Sequence, residues 1–342
     1  MRLRDTPPNT TIRDVAKHAK VSIATVSRVL NESSGVREGT REKVWATIEE
    51  LNFTPNPIAR QLSIGRTLTI GIIQPYITLP SYIERLRGVQ HSLASSEYDL
   101  VIFNVDNPGQ KDAYFKDLSR KMRVDGMLIV SLPPTNEQAD NFADTRIPTV
   151  LIDSENPKLC RIVADDYEGG RIATRHLVEL GHRKIAFLSD FLDTPFHPAM
   201  RLRYLGFQEV LAQHQIPLNP AYVIEGSRGR INARTMAKKL LTLDDPPTAI
   251  FASSDTQALG VLDVAQEMNV KVPERLSVLG YDNIPDAVYN NLSTIDQNLY
   301  DSGVKGAQML LDLLGGLIEP PCKQQVSLNL LRRKTTGPAP IF

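Results

Sequence analysis

The pattern of apolar and polar positions divides the chain into a short helical head and a longer body of alternating strands and helices. Before residue 54, apolar residues recur three and four positions apart, which is the spacing of one helix face. From Leu68 onward, short apolar runs typical of buried strands alternate with amphipathic segments. This alternation predicts doubly wound α/β subdomains with right-handed crossovers. We therefore expect an α/β fold preceded by a small helical unit.

The body contains apolar runs that are expected to form parallel strands, at residues 68–74, 99–105, 126–131, 148–153, 184–190, 248–254 and 276–282. The amphipathic segments between them are expected to form helices, namely Tyr82–Leu93, Gly170–Leu180, Met200–His214, Ser254–Met268 and Asp301–Leu314. The body is about 275 residues long, which suits two α/β subdomains.

Two short helices joined by a tight turn are predicted in the head. Thr11 is suited to cap the first helix, with Asp14 at the third helical position, where a carboxylate favours the positive helix end. Ser22 is suited to cap a second helix that runs from Ile23 to about Leu30. This is the helix-turn-helix pattern, whose second helix enters the DNA major groove N-terminus first. A third helix is expected to start at Thr40.

The outward face of the second helix consists of small or uncharged residues apart from one arginine. These positions are Ile23, Ala24, Thr25, Ser27 and Arg28. Small side chains allow close approach to base edges, whereas a merely solvated face is expected to carry Lys and Glu. On the inward side, Trp45 and Phe53 are expected to complete the core of the three helices. A plain three-helix bundle that does not bind DNA is the alternative.

Charge, hydropathy and cysteine content narrow the class of protein. The first 66 residues hold 11 Lys and Arg against 7 Asp and Glu, and the rest of the chain holds 28 against 32. A cationic head on an acidic body suits a head that meets a polyanion. No apolar run reaches membrane-spanning length, and the basic N-terminus lacks the apolar stretch of a signal peptide. We expect a cytoplasmic protein that binds no membrane, with Cys160 and Cys322 reduced and packed.

The stretch TIRDVAKHAKVSIATVSRVLN, followed by TREKVWATIEELNFTPNPIARQLSIGRTLTIGI, resembles the lactose-repressor (LacI) family of bacterial transcription regulators. The resemblance continues more thinly through GHRKIAFL, RLRYLGF, ASSDTQALG and LSVLGYDNIPDA. It implies a helix-turn-helix DNA-binding domain at residues 1–55, a hinge helix and linker at 56–66, and an effector-binding and dimerisation domain at 67–342.

The segment after the head carries the signals for both ends of a very short helix. Asn56 can cap it, Pro57 pre-sets the first helical φ, and Gly65 supplies a stop. About seven residues lie between these signals, fewer than the roughly 12–15 that an isolated helix needs in water. The family resemblance implies a hinge helix that forms when two copies pack together in the DNA minor groove. An ordinary linker with one helical turn is the alternative.

DNA contacts are expected from both the head and the hinge. Arg28 suits a bidentate contact to guanine, while Ile23 and Ala24 favour apolar contacts such as thymine methyls. Leu62 matches the family's wedge that kinks the duplex, and Ala59 is small enough for paired hinge helices to approach. The full set of expected DNA-binding residues is Thr11, Ser22, Ile23, Ala24, Thr25, Ser27, Arg28, Asn31, Asn56, Ala59, Arg60 and Leu62.

The resemblance also implies a periplasmic-binding-protein-like pair of subdomains. The first is expected to consist of about 68–160 and 293–321, and the second of about 161–290 and 322–342. Ligands of open α/β sheets bind beyond the carboxyl ends of the strands, where several aspartates of this chain fall, Asp190 among them. Aspartates that accept from vicinal hydroxyls, with a bidentate arginine, make a sugar-type site. The expected ligand-binding residues are Tyr76, Asp153, Phe191, Arg203, Ser254, Asp255 and Asp282; of these, Arg203 and Asp282 match effector-contacting positions of the family.

Two departures from the family pattern leave the ligand class open. Arg228 stands near a position that is usually an aromatic residue able to stack on a sugar or base, and it is compatible with an anionic ligand. The stretch SDFLDTPFHPAMR is a few residues longer than usual, so Phe191, Phe196 or His197 could supply the stacking instead.

We expect a homodimeric, ligand-responsive repressor of carbohydrate-use genes that binds near-palindromic operators in double-stranded DNA. The alternatives are a regulator with a purine-like or phosphorylated corepressor, a solute-binding protein, and an enzyme with a DNA-binding head. No phosphate-loop, G-x-G-x-x-G or G-x-S-x-G pattern occurs, and the histidines lack metal-ligand spacing, so no enzyme activity, cofactor or metal is expected. The C-terminal stretch LNLLRRKTTGPAPIF carries no heptad pattern, which favours dimers over tetramers.

Overall fold

The computed structural model describes residues 10–31, 34–54, 65–121, 124–145, 147–193 and 198–341. Met1–Thr67 and Leu68–Phe342 form two compact units. The expected hinge residues Asn56, Ala59, Arg60 and Leu62 lie outside the described residues, as do Phe196 and His197. Among the residues described, no helix is long and apolar enough to cross a membrane.

The head consists of helices α1 (Ile12–His18), α2 (Ile23–Leu30) and α3 (Glu38–Glu50). The backbone N–H of Thr11 donates to the Asp14 carboxylate over 2.9 Å, which is one half of a capping box. The Ser22 hydroxyl accepts from the backbone N–H of Thr25 over 3.1 Å. The predicted bounds of α2 are therefore confirmed, whereas α3 begins two residues before the predicted Thr40.

The core of the head is aliphatic. Val15, Val26, Val29 and Val44 are fully buried, with α1, α2 and α3 all contributing. Trp45, which was expected in this core, is 41% exposed, so that prediction is wrong. Val44 already faces the core, and a residue one position further along a helix points about 100° away from it.

The body is built from strands β1 (Thr69–Pro75), β2 (Asp99–Val105), β3 (Gly126–Val130), β4 (Thr149–Ile152), β5 (Cys160–Val163), β6 (Ile185–Asp190), β7 (Val223–Gly226), β8 (Ala249–Ala252), β9 (Ser277–Asp282), β10 (Ser293–Asp296), β11 (Lys323–Gln325) and β12 (Asn329–Leu331). Its helices are α4 (Pro80–Leu93), α5 (Pro108–Lys121), α6 (Asn136–Asp144), α7 (Asp166–Glu179), α8 (Ala199–Gln213), α9 (Arg230–Leu241), α10 (Asp255–Glu267), α11 (Pro285–Tyr289) and α12 (Leu299–Leu314). All the predicted strands and helices of the body are present.

Two sheets define two subdomains of the body. The first has the strand order β11–β5–β4–β3–β1–β2, and the second has the order β12–β10–β9–β8–β6–β7. The strand pairs are parallel except for β10 with β12, which is antiparallel. Central strands such as β3 and β8 are buried along their whole length, which explains their uninterrupted apolar sequence.

The chain passes between the two sheets three times within the described residues, between β5 and α7, between β10 and α12, and between β11 and β12. Each passage lies a few residues later than the boundaries expected near 161, 290 and 322. The sequence pattern missed β5, β7, β10, β11 and β12, because these strands are only three or four residues long and partly polar. Ser293–Asp296 belongs to the second sheet rather than the first, and Lys323–Gln325 to the first rather than the second.

Glycines allow two helix pairs to approach closely. A Cβ atom at Gly88 of α4 would lie 2.0 Å from the Tyr300 carbonyl oxygen of α12. A Cβ atom at Gly170 of α7 would lie 2.1 Å from the Arg203 carbonyl oxygen of α8. Side chains at these positions are therefore excluded, and the close contact of α7 with α8 brings Arg203 next to the start of α7.

Cys160 and Cys322 form a disulfide, so the prediction that both are reduced is wrong. Their Cα atoms are 4.3 Å apart although 162 residues separate them in sequence. The pairing of β5 with β11 places Lys323 beside Arg161, and the Arg161 N–H donates to the Cys322 carbonyl over 2.8 Å. This contact could not be predicted from the sequence, because strand β11 was missed.

Candidate functional site

The outward surface of α2 is open, as the sequence predicted. Ser22, Ile23, Ala24 and Arg28 are exposed, and Ile23 is 46% exposed despite its apolar side chain. The exposed Ile23 and Ala24 together form a small apolar surface that is open to contact with another molecule. The remaining expected contacts of the helix-turn-helix unit are half-buried or exposed, namely Thr11, Thr25, Ser27 and Asn31.

A cleft lies between the two subdomains of the body, at the carboxyl ends of both sheets. The charged side chains that line it are Arg85 and Asp153 from the first subdomain and Asp190, Arg203, Arg228 and Asp282 from the second. Among the described residues, no group of three or more His, Cys, Asp or Glu side chains is placed to hold a metal ion. Each arginine of the cleft is paired with an aspartate.

The first subdomain contributes a buried ion pair. Arg85 of α4 lies 3.0 Å from the Asp153 carboxylate, which follows β4, and the two side chains are only 3% and 8% exposed. The Ser131 hydroxyl donates to the same carboxylate over 2.6 Å. Asp153 was predicted here, whereas Arg85 was missed. Its signal in the sequence is its position three residues after Tyr82 and four before Val89, on the buried face of α4.

The second subdomain contributes a more extensive network around Arg203. The Arg203 Nε donates to Asp166 over 2.8 Å, and Nη1 donates to the Ser253 carbonyl over 2.6 Å. The guanidinium carbon lies 3.6 Å from the centre of the Tyr281 ring, which places the cation over the aromatic face. Nη1 also lies 3.9 Å from Asp282. Both predicted residues, Arg203 and Asp282, therefore line the cleft and contact the same network.

Gln297 connects the two networks. It lies between β10 and α12, on one of the passages from one subdomain to the other. Its side-chain oxygen accepts from Arg85 over 2.9 Å, and its side-chain nitrogen donates to Asp282 over 2.5 Å. Gln297 was missed from the sequence, because its position relative to Arg85 and Asp282 depends on strand β10, which was not predicted.

Arg228 contacts both subdomains at another side of the cleft. Its Nε lies 3.0 Å from the Asp190 carboxylate in the second subdomain. Its guanidinium carbon lies 3.8 Å from the centre of the Tyr76 ring, which belongs to the turn after β1 in the first subdomain. The Gln257 side-chain nitrogen donates to Asp190 over 2.8 Å and fixes that carboxylate.

Burial changes the proton affinity of two cleft carboxyl groups. It raises the pKa of Asp190 to about 6, against the opposing effect of Arg228. Burial likewise raises the pKa of Asp282 to about 6, although Arg203 and Arg85 act in the opposite direction. Both groups are mostly ionised at neutral pH, and an ionised carboxylate is an acceptor suited to hydroxyl donors.

Four of the seven expected ligand-binding residues line the cleft, namely Asp153, Arg203, Ser254 and Asp282, whereas Tyr76, Phe191 and Asp255 do not. Asp255 is fully buried, and its carboxylate accepts from the Thr294 hydroxyl and from the Ile284 N–H. Phe191 is 56% exposed and does not line the cleft. Ser254 does line it while also capping α10.

Comparison with known proteins agrees with this architecture. Residues 11–56 match the model of the lacI family of bacterial regulatory proteins, and residues 174–336 match a periplasmic binding protein-like domain. Catabolite control protein A of Priestia megaterium is 34% identical over 306 residues, which cover 88% of this chain and 92% of that protein. The chain belongs to the lacI family. The HTH-type transcriptional repressor PurR of Aliivibrio salmonicida is also 34% identical, over 88% of this chain and 91% of that protein.

Solved structures of related transcription regulators confirm the fold. The Lac repressor dimer bound to operator and the anti-inducer ONPF has a TM-score of 0.84 and 29% identity, over 96% of this chain and 99% of that one. The regulator CelR in complex with cellobiose has a TM-score of 0.68 and 26% identity, over 96% of this chain and 100% of that one. A lacI-family regulator from Enterococcus faecium with bound ribose has a TM-score of 0.69 and 27% identity, over 79% and 99%. The predicted fold class and family are thereby confirmed, and the relatives are transcription regulators rather than enzymes.

Proposed function

We propose that this lacI-family protein is a sequence-specific repressor whose operator affinity is controlled by a small carbohydrate bound in the cleft. The observation that carries the proposal is the cleft itself, where arginine–aspartate networks from both subdomains converge at the carboxyl ends of two parallel sheets. The open face of α2 supplies the DNA-reading surface. Because it acts on DNA, we place the protein in the cytoplasm.

We assign operator reading to the exposed face of α2. Arg28 is the long donor on that face and suits a guanine, while Ile23 and Ala24 suit thymine methyl groups. Thr11, Ser22, Thr25, Ser27 and Asn31 supply shorter contacts to phosphates or base edges, and Asn56, Ala59, Arg60 and Leu62 supply the minor-groove contacts of a hinge.

We propose a homodimer that binds a near-palindromic operator. The Lac repressor structure with a TM-score of 0.84 is a dimer on its operator. In this chain, Val288 and Tyr289 of α11 are 53% and 81% exposed, and Ile231 of α9 is 80% exposed. A second copy of the chain covers these apolar side chains, and its two-fold symmetry is mirrored in the operator.

The charge balance of the cleft favours an uncharged, hydroxyl-rich ligand over a phosphorylated one. The three cleft guanidinium groups are each paired with a carboxylate: Arg85 with Asp153, Arg203 with Asp166, and Arg228 with Asp190. Asp282 adds a further carboxylate. A phosphate dianion would have to displace these pairs, whereas sugar hydroxyls donate to carboxylates and accept from guanidinium groups without changing the net charge. Cellobiose and ribose, which two relatives bind, are ligands of this kind.

The mechanism is thermodynamic linkage. A sugar that contacts Asp153 and Asp282 together stabilises one arrangement of the two subdomains, and this arrangement changes how the two hinges of the dimer approach the DNA. A coupling of about 1–3 kcal/mol, or roughly 5- to 150-fold in affinity, is typical of such systems and is sufficient for regulation.

The experiment combines a ligand screen with an operator assay. Thermal unfolding of the full chain is measured with D-glucose, D-ribose, cellobiose, glucose 6-phosphate and hypoxanthine. A ligand at 100 times its Kd adds about 2.7 kcal/mol to the stability of the folded state. Operators are selected from a random duplex library, and affinity is measured with and without each ligand that binds.

We expect a neutral sugar to bind and to weaken operator binding. If hypoxanthine or glucose 6-phosphate binds and strengthens operator binding, the ligand is a corepressor. This alternative is retained because several relatives are named PurR. Asp282→Asn is the matched control, because it removes a cleft carboxylate charge and leaves the head unchanged. Turnover of a bound sugar would indicate an enzyme and contradict the proposal.

A further inference from the structure

Arg228 is the cleft side chain whose contacts join opposite subdomains through a single guanidinium group. The Tyr76 ring lies on the first subdomain, 3.8 Å from the guanidinium carbon, and the Asp190 carboxylate lies on the second, 3.0 Å from Nε. The Arg228 side chain is 20% exposed, and it lines the cleft. One guanidinium group therefore contacts both sides of the cleft.

Both ends of this contact are held in place by their own subdomains. The Tyr76 carbonyl accepts from the Leu79 N–H over 2.9 Å, and the next backbone N–H, of Ile77, donates to Asn104 over 3.0 Å. On the other side, the Arg228 carbonyl accepts from the Asn232 side chain over 2.7 Å, just before α9 begins. Because each backbone segment is held by its own subdomain, the contact is lost when the subdomains separate.

The contact also selects the ligand. The guanidinium covers one face of the Tyr76 ring, so a planar ligand cannot stack on that face while the contact lasts. No hydrogen bond or ion pair to another described residue engages the terminal Nη1 and Nη2 groups of Arg228. These N–H groups are available to oxygen acceptors in the cleft, and Asp190 balances the charge of the guanidinium.

We infer that Arg228 is a specificity-determining residue that ties the two subdomains across the cleft and donates hydrogen bonds to the oxygen atoms of an uncharged polyol. The inference rests on the proposed sugar-responsive function and adds the residue through which recognition and subdomain closure are linked. A sugar held by Arg228 stabilises the arrangement in which Arg228 reaches across the cleft to Tyr76, because the same guanidinium group makes both contacts.

The first test needs no ligand. Hydrogen exchange of the full chain is followed by mass spectrometry for wild type, Arg228→Ala and Arg230→Ala. Arg230 is the matched control, since it lies two residues away, pairs with Asp263 on an exposed surface and does not line the cleft. We expect Arg228→Ala to raise exchange in residues 76–82 of the opposite subdomain by about tenfold, and Arg230→Ala to leave it unchanged. Equal exchange in all three proteins would overturn the inference.

The second test uses D-glucose, D-ribose and cellobiose as probes, with Kd measured by calorimetry. We expect Arg228→Ala and Tyr76→Leu each to weaken the sugar that binds wild type by about tenfold, and Tyr76→Phe, which keeps the ring, to bind as wild type does. A sugar that binds wild type and Arg228→Ala equally well would overturn the assignment of specificity. If none of these sugars binds wild type while exchange responds to Arg228→Ala, the proposed function fails and the cross-cleft contact stands.

Discussion

The buried pair of Arg203 and Asp166 offers the most stringent test of how the second subdomain stabilises its wall of the cleft. Arg203 is 2% exposed and Asp166 is 5% exposed, and their side chains meet over 2.8 Å. Replacing Arg203 with alanine removes this ion pair, the hydrogen bond to the Ser253 carbonyl and the stacking over Tyr281. The Asp166 carboxylate is then left buried without its cation.

The expected loss of unfolding free energy is large, because removing one partner of a buried ion pair leaves the other charge buried and unpaired. Leaving a buried charge uncompensated costs about 3–5 kcal/mol of unfolding free energy. The loss of the cation–π contact is included in this range, because the effects of interactions made by the same side chain do not add fully. Burial already raises the pKa of Asp166, and Arg203 opposes that rise. Without Arg203 the pKa of Asp166 rises further above its unfolded value.

This rise in pKa sets the sign of the pH dependence. A carboxyl group with a raised pKa in the folded state binds protons more tightly when the protein is folded. Stability is therefore gained as the pH falls below the raised pKa. We expect Arg203→Ala to lose about 3–5 kcal/mol of unfolding free energy at pH 7.5 and clearly less at pH 5.5, where Asp166 can take up a proton.

Urea unfolding of the full chain, followed by circular dichroism at both pH values, measures these differences. Arg201→Ala is the control on the same helix, since Arg201 is 56% exposed and pairs with an exposed Asp193, so its loss is expected to stay within about 0.5 kcal/mol. The double variant Arg203→Ala with Asp166→Asn is expected to be more stable than Arg203→Ala alone. This reasoning would be refuted if Arg203→Ala were as stable as Arg201→Ala. It would also be refuted if the double variant regained none of the stability that Arg203→Ala loses.

Three further predictions concern the DNA-reading face, the disulfide and the acidity of the cleft. Arg28→Ala is expected to lose about 1–3 kcal/mol of discrimination at one guanine per half-site, measured on single-base operator variants; an equal loss on all sequences would make Arg28 a phosphate contact. The double variant Cys160→Ser with Cys322→Ser is expected to lower the unfolding free energy by about 2–5 kcal/mol, because the disulfide closes a long loop. A urea midpoint of the wild-type protein that is the same with and without reductant would contradict this. Sugar affinity is expected to be constant above pH 7 and to fall as the pH drops through about 6, because Asp190 and Asp282 then become protonated and lose acceptor strength; calorimetry at several pH values checks this, and a flat profile would contradict it.

Most of the strands that could be predicted from the sequence are buried on both faces, although β2 is partly exposed. Gly126–Val130 and Ala249–Ala252 are buried throughout, so their apolar runs stand out from the surrounding sequence. Lys323–Gln325 is exposed along its length and lies at the edge of its sheet, so its sequence carries no such signal. Ser293–Asp296 is mostly buried but polar, and distant partners such as Thr335 satisfy its hydrogen bonds.

The site could be predicted only as far as the rule for strand ends applies. Asp153 and Asp282 follow or end a strand and line the cleft, as expected. Asp255 follows β8 as well, but it is the first residue of α10, and its carboxylate faces Thr294 inside the second subdomain. The connections made by Gln297 and Arg228 join residues far apart in sequence, so they become visible only once the two sheets are assembled.

The most direct test of the central claim is reciprocal linkage in the full-length protein. Operator affinity is measured by fluorescence anisotropy with and without a saturating concentration of the sugar that binds the cleft, and sugar affinity is measured with and without operator. The account predicts a change of roughly 5- to 150-fold in operator affinity and the same factor in sugar affinity. A sugar that occupies the cleft, with binding lost in Asp282→Asn, and yet leaves operator affinity unchanged would contradict it.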